Sequence, residues 1–323
     1  MNTRFAKRLL MAATLVASSL ALAQGYPDKP LKLIVPYPPG ASTDVTARLI
    51  GQKVSTLLGQ PVVVDNKGGA SGNIGTEFVA KQPADGYTFM LGTDATHAAN
   101  SYLIAKATFN PLTDFTPLAL AVMNPIVLVV HPSVPAHNLK EYVDGVRSGK
   151  ISGAFGSSGT GSPHHLAGEL LKSHTKAPFL HVPYRGGGPA VTDVLGGQVP
   201  AIFSSVVSVL PYIQSGRLRA LAVTEAKRYP GLPNVPTIAE TYEGFDVPSW
   251  LAFFGPAKMP APVAQRLSGA ILTALQDPEI KAKLDSSGVV VPADPSPKAL
   301  ADLQQRDYAL KGKIIREAGV KIE

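Results

Sequence analysis

The stretch LKLIVPYPPGASTDVTARLI, residues 31–50, decides how the chain is read. Leu31 to Tyr37 is a short apolar, β-branched run, and apolar residues then recur at helical spacing, which predicts a strand, a tight loop and a helix over Thr43–Leu58. In the loop, Pro36, Pro38 and Pro39 keep the backbone extended, Gly40 lets it swing, and Ser42, Thr43 and Asp44 are residue types that open helices. The free N–H groups of a helix start attract a carboxylate or phosphate without needing a charged side chain.

Working outward, the same alternation recurs. Strands are expected at Val62–Asn66, Tyr87–Gly92, Pro117–Val122, Ile126–His131, Ser152–Gly156, Leu180–Tyr184, Ala201–Ser204 and Leu218–Val223. Helical patterns lie between them at Ser71–Lys81, Leu139–Arg147, Pro163–Ser173, Pro189–Leu195 and Val206–Gln214. Such alternation predicts an α/β fold of βαβ units with parallel sheets covered on both faces. The end of the chain is helical, over Pro262–Leu275, Glu279–Asp285 and Ser296–Ile315, with only Val289–Val291 as a short strand.

Length and composition bound the rest. Arg4, Lys7 and Arg8 precede an apolar run from Leu9 to Leu22 that ends Ala21-Leu22-Ala23, the pattern of a secretory signal peptide over residues 1–23, cut near Ala23. Its removal leaves 300 of the 323 residues, enough for two domains. It also leaves 27 basic against 23 acidic residues, a formal +4 without runs of like charge. A modest positive balance suits an anionic ligand, whereas a nucleic-acid binder needs a basic stripe with stacking aromatics. With no cysteine, an exported chain relies on burial alone for stability. Extended, proline-containing stretches near residues 117–127 and 223–250 suggest that the chain crosses twice between domains. Domain 1 is then expected at residues 24–122 plus 236–323 and domain 2 at 123–235, with ligand bound at the strand ends between them.

The loops after the strands share one chemistry, being small, hydroxylated and glycine-containing. They are Pro38–Thr43, Lys67–Asn73, Gly92–His97, Gly156–Ser162 and Tyr184–Pro189. One such loop is only a turn and a cap; five of them at one end of an α/β chain describe a binding cleft. Catalytic motifs are absent from the sequence, with no G-x-S-x-G, Walker or dinucleotide fingerprint. His165 and Glu169 share a helical face but lack a third ligand, so neither a metal nor a cofactor is expected. Asp44, Asp65, Asp94 and Asp193 are isolated and are read as caps rather than acids or bases.

These residues also carry a resemblance. YPDKPLKLIVPYPPGASTDVTARLIGQKVSTLLGQPVVVDNKGGASGNIGTEFVAKQPADGYTFMLGT (residues 26–93), GSPHHLAGELL (161–171), VPYRGGGPAVTDVLGGQVPAIF (182–203) and GRLRALAVTEAKRYPGLPNVPTIAE (216–240) resemble the Bug-type solute receptors of tripartite tricarboxylate transporters. The resemblance implies a two-domain, type II periplasmic-binding-protein (Venus-flytrap) fold that closes on a small organic carboxylate and delivers it to integral-membrane transporter subunits. It implies a periplasmic, non-enzymatic monomer. One ligand carboxylate is implied to rest on Tyr37, Pro39, Gly40, Ala41, Ser42 and Thr43 and on Ala70, Ser71 and Gly72, with Thr93 and His97 beside them. The far end of the ligand is implied to meet Ser157, Gly159, Thr160, His164, Tyr184, Gly187 and Ser204. Two departures stand out: Ser204 replaces an acidic residue common in relatives, and Asn66-Lys67-Gly68-Gly69 replaces Asn-Arg-Pro-Gly. The first favours a neutral, hydroxyl-lined pocket. Two other classes stay open at this point, an exported hydrolase using one of the Ser-rich loops and a sensing receptor that serves a signalling partner.

Overall fold

The structure, a computed structural model, describes residues 25–104 and 108–321; the expected signal peptide lies outside them. In chain order the elements are β1 (Leu31–Val35), α1 (Ser42–Leu58), β2 (Val62–Asn66), α2 (Asn73–Ala80), β3 (Thr88–Thr93), α3 (Asn100–Leu103), β4 (Phe115–Met123) and β5 (Ile126–Val130). They continue as α4 (Leu139–Arg147), β6 (Ala154–Ser157), α5 (Pro163–Thr175), β7 (Leu180–Pro183), α6 (Gly187–Leu195), β8 (Ala201–Ser205), α7 (Val206–Gln214) and β9 (Arg219–Val223). The chain closes with β10 (Trp250–Pro256), α8 (Ala261–Gln276), α9 (Pro278–Ser286) and α10 (Pro297–Ala318).

Two five-stranded sheets result, ordered β2-β1-β3-β10-β4 and β7-β6-β8-β5-β9. The expectation of purely parallel sheets is corrected. β1 pairs in parallel with β2 and β3, and β6 with β7 and β8, but β10 runs antiparallel to β3 and β4, and β5 antiparallel to β8 and β9. The cause is the double crossing, since in each sheet the antiparallel strand is the one through which the chain enters. β10 escaped the sequence reading because WLAFFGP is buried at every position and so shows no period-2 alternation. The expected strand at Val289–Val291 reduces to one bridge, Met123 with Val290.

Each sheet is covered on both faces. On the first, Leu33, Val35, Ala47, Ile50, Leu267 and Ile271 form one core layer and Ile34, Val79, Met90, Phe115, Trp250 and Phe254 the other. On the second, Leu128, Tyr142, Phe155, Leu166 and Phe203 lie on one side and Val127, Val191, Ile202, Val206 and Val209 on the other. Ile238, Phe245 and Val247 join the core cluster of this second sheet, and the chain enters the first sheet again at β10.

The two crossovers run side by side. Asn124 and Pro125 link β4 to β5; the Asn124 amide donates to Ser249 O (2.8 Å), and the Thr224 amide donates to Ile126 O (3.0 Å). α10 spans both cores. Its Leu300 packs on the first sheet and its Ile314 and Ile315 on the second. At its middle, Lys311 is wholly buried, its Nζ 2.6 Å from both Asp94 Oδ2 and Asp307 Oδ2 and 3.3 Å from Pro248 O. Trp250 Nε1 donates to Asp307 Oδ2 at 2.9 Å. Burial alone would discharge Lys311, but the two carboxylates outweigh it and hold its pKa above the ordinary value.

Two predictions follow from this packing. Lys311→Met leaves two buried carboxylates without their cation and is expected to cost about 3–5 kcal/mol in chemical denaturation, where a change below about 1 kcal/mol would show the ion cluster to be dispensable. At the crossover, Glu225 accepts from the Ile126 amide (3.2 Å), and burial, with a smaller push from Asp246, raises its carboxyl to about 8. The folded chain therefore keeps a proton that an unfolded glutamate releases near about 4.3, and stability falls as pH rises through that window. Melting measured from pH 5 to 8 is expected to show this decline in the native chain and a flatter one in Glu225→Gln.

Candidate functional site

At the carboxyl ends of β1, β3 and β6 the two sheets face each other across a cavity of about 240 Å³. Tyr37, Ser71, Ala95 and Asn100 line it from the first sheet, and Ser158, Gly159, Thr160, Gly161, Ser162 and Pro163 from the second. None of these ten described residues is charged. Three larger depressions among the described residues, about 460 Å³ beside the ends of α5 and α10, about 650 Å³ around Tyr26, Tyr87 and Val263, and about 280 Å³ around Pro132, Ile213 and Val235, lie away from these loops. Of these four, the smallest draws its wall from strand-end loops of both sheets, where open α/β folds hold ligands.

The first wall is built by Asp44. Its carboxylate accepts from the Gly40 amide (2.9 Å), from Arg48 Nε (3.1 Å) and from Asn66 Nδ2 (3.0 Å), while Asn66 Nδ2 also donates to Tyr37 O (2.9 Å). Burial opposes the charge, but Arg48, Gly40 and Asn66 together hold Asp44 below the ordinary carboxylate range. Asp44 thus folds the Tyr37–Ala41 loop onto α1. This corrects one expectation: the Gly40 amide is engaged internally. Arg48 is likewise occupied, by Asp44 and by Asn66 Oδ1 (3.0 Å). Thr43 is buried, and Pro39, Gly40 and Ser42 are exposed at the rim rather than among the lining residues.

The second loop is strained. Gly69, Ala70, Ser71 and Gly72 all have positive φ, at 119°, 46°, 54° and 92°. Consecutive left-handed residues, two of them not glycine, mark a backbone held by its surroundings, as functional sites often are. Asn100 Nδ2 supplies a restraint, donating to Ser71 O (3.0 Å) and Asn73 Oδ1 (2.8 Å). Gly72 has no alternative. A Cβ there would lie 2.7 Å from Thr96 Cγ2 and 3.3 Å from the Tyr37 ring. Thr93 is buried and bonds Tyr37 Oη at 3.1 Å, which pins the ring against this loop. His97 is fully buried behind the wall, stacked on Phe254 at 3.9 Å with Nε2 unpartnered, and burial lowers its pKa to about 3. It is a core residue in this conformation.

On the opposite wall, Gly159 and Gly161 have φ of 130° and 77°, and Ser162 caps α5 by accepting from the His165 amide at 3.2 Å. Ser157 is buried and bonds His181 Nε2 (2.7 Å) and the Gly159 amide (3.0 Å). His164 is half-buried between Ser158 Oγ at Nδ1 (2.7 Å) and Ser205 Oγ at Nε2 (3.2 Å), and burial lowers its pKa to about 4. The Ser158–His164 pair has the spacing of a nucleophile and its base, yet the far nitrogen meets a hydroxyl where a catalytic triad places a carboxylate. Tyr184 Oη donates to Asp193 (2.8 Å), Ser204 is buried within β8, and neither these nor Ala70, Gly72 and Gly187 are among the lining residues. Of the ten lining residues, Tyr37, Ser71, Gly159 and Thr160 were expected from the sequence, and Ala95, Asn100, Ser158, Gly161, Ser162 and Pro163 were not assigned as site residues. Asn100 lies between Ala99 and Ser101 in a run that also holds Thr96 and His97, so composition does not single it out.

Compared with known proteins, the chain matches over residues 46–320 the family described as "Tripartite tricarboxylate transporter family receptor". It is 35% identical to Protein BugT of Bordetella pertussis, over 97% of each chain. Among solved structures it is similar to an R. palustris protein with adipate, at 34% identity and TM-score 0.80 over 92% of this chain and 100% of the other. It is also similar to MatC from Rhodopseudomonas palustris with bound malate, at 31% identity and TM-score 0.76 over 90% and 100%.

Gly72→Ala is expected to cost about 1–3 kcal/mol by denaturation, because both φ and the Thr96 contact oppose a side chain. A substitution without measurable cost would mean that the loop relaxes out of this conformation.

Proposed function

The chain belongs to the tripartite tricarboxylate transporter receptor family, whose members are solute-binding proteins, and on that premise we propose that it captures a small organic carboxylate between its sheets. The ligand class is a dicarboxylate, aliphatic or aromatic, delivered to the membrane subunits of a tripartite transporter. The protein acts in the periplasm as a monomer after cleavage near Ala23, and it closes by a hinge at Asn124–Pro125 and Pro248–Ser249. The observation that carries this reading is the uncharged cavity walled by strand-end loops of both sheets. Similarity to proteins solved with adipate and with malate supports the same class.

With no cation on the cavity wall, the carboxylates are held by amides and hydroxyls. On the first sheet these belong to Tyr37 and Ser71, with Ser42 and Thr43 joining from the rim on closure, while Asn100 holds the Ser71 loop in place. On the second they belong to Ser158 and Thr160, since the Gly159, Gly161 and Ser162 amides are taken by Ser157 Oγ, His165 Nδ1 and Gly159 O. Hydrogen bonds to a charged group contribute about 1.5–3 kcal/mol each, so a few of them support micromolar binding. The family placement and the missing carboxylate partner of His164 weigh against the hydrolase reading.

A thermal-shift series over malate, succinate, adipate, citrate and terephthalate tests the class. At about 100 times the dissociation constant, a ligand of the native state alone stabilises by about 2.7 kcal/mol. At least one dicarboxylate is expected to do so and to be recovered unchanged after long incubation. Stabilisation by amino acids or sugars with none by any carboxylate would sink the proposal.

A further inference from the structure

A hydrogen-bond chain leads from the crossover to the cavity wall. Asn124 lies between β4 and β5, its backbone amide bound to Ser249 O of the second crossover. Its side-chain Nδ2 donates to Ser205 Oγ at 3.1 Å, Ser205 Oγ meets His164 Nε2 at 3.2 Å, and His164 Nδ1 meets Ser158 Oγ at 2.7 Å. Ser158 lines the cavity.

The Asn124 amide is oriented with Nδ2 toward Ser205 Oγ and leaves its Oδ1 buried without a partner, and the polarity of the chain follows from that orientation. An amide NH₂ only donates, so Ser205 Oγ accepts from Asn124. Ser205 is buried, and among the described residues its hydroxyl has no hydrogen-bond neighbour besides Asn124 and His164. A buried hydroxyl proton left unpaired is costly, so it goes to His164 Nε2. A neutral imidazole that accepts at Nε2 carries its proton on Nδ1, which then donates to Ser158 Oγ. The proton left over is that of Ser158, on the wall of the cavity. The opposite polarity would commit the Ser158 proton to His164 and turn only lone pairs toward an anion.

We infer that Asn124, Ser205 and His164 are positioning residues that set the His164 tautomer and thereby make the Ser158 hydroxyl a hydrogen-bond donor to the ligand's carboxylate. This rests on the carboxylate reading above and adds to it a specific donor on the second sheet, one whose direction is fixed at the crossover. Neutral, donor-directed hydroxyls select a carboxylate over an ammonium or a hydroxyl-poor apolar ligand without any basic side chain.

The test begins with ¹⁵N-histidine NMR of the full, ligand-free chain, assigned by comparison with His164→Gln. The Nδ1–H tautomer at His164 is expected. The Nε2–H tautomer would mean that the Asn124 amide is turned to present Oδ1, with every donor in the chain reversed, and would overturn the inference. Calorimetry with malate and adipate supplies the second readout. Ser205→Ala is expected to weaken binding about tenfold, Ser158→Ala at least as much, and the double variant no more than Ser158→Ala alone. Ser205→Thr, which keeps the hydroxyl, is expected to restore affinity. Independent, additive losses from Ser205→Ala and Ser158→Ala, or full affinity in Ser205→Ala, would overturn the inference while leaving the carboxylate reading intact. Failure of every carboxylate to bind would remove that reading, and the tautomer would still decide the polarity of the chain.

Discussion

One buried ammonium holds the architecture together. Lys311 reaches from the middle of α10 to Asp94 at the end of β3, to Asp307 one turn earlier, and to Pro248 O on the returning crossover. Taking three charges out of water is expensive, and it is tolerated here because each carboxylate oxygen in contact with Lys311 has a short, direct partner and Trp250 adds another. In return a single side chain ties the helix that spans both cores to the crossover and to the strand end that opens the cavity. Thr93 and Ala95 flank Asp94 in sequence, and Asn100 follows one turn later, so the wall's position is inherited from this cluster.

The cavity's electrostatics are set by what is kept out of it. Arg48, in the second turn of the helix that follows the first loop, is held by Asp44 and Asn66, and Arg185 is exposed. What remains are hydroxyls, an asparagine and backbone in left-handed turns. Such groups are weaker than a guanidinium individually, but they need no reorganisation if they are already restrained. The restraints are visible: Asn100 on Ser71, Thr93 on Tyr37, Ser162 on α5, and the Asn124 to Ser158 chain. Preorganisation of this kind lets modest hydrogen bonds add up to useful affinity.

Much of this was legible in the sequence, and the misses have physical causes. Val62–Asn66, Leu139–Arg147 and Val206–Gln214 were read with the bounds the structure gives, because periodicity and caps are local signals. β10 was hidden because burial on both faces erases alternation, and with it went the mixed character of the first sheet. Small, hydroxylated, glycine-containing loops are visible in composition, but composition does not say which of them line the cavity or which amides are already spent. Gly40 looked free until Asp44, four residues on, was seen to take its N–H. His97 and Asn100 look equally polar in sequence. Packing against Phe254 and Phe115 sets the first behind the wall, while the second, also buried, lines it.

The most direct measurement is a crystal structure with the carboxylate that stabilises the chain best. The account predicts carboxylate oxygens within hydrogen-bonding distance of Tyr37 and Ser71 on one side and of Ser158 Oγ and Thr160 on the other, with no basic side chain in contact. A ligand seated instead in the groove between the ends of α5 and α10, or one held by Arg48 or Arg185 within the cleft, would contradict it.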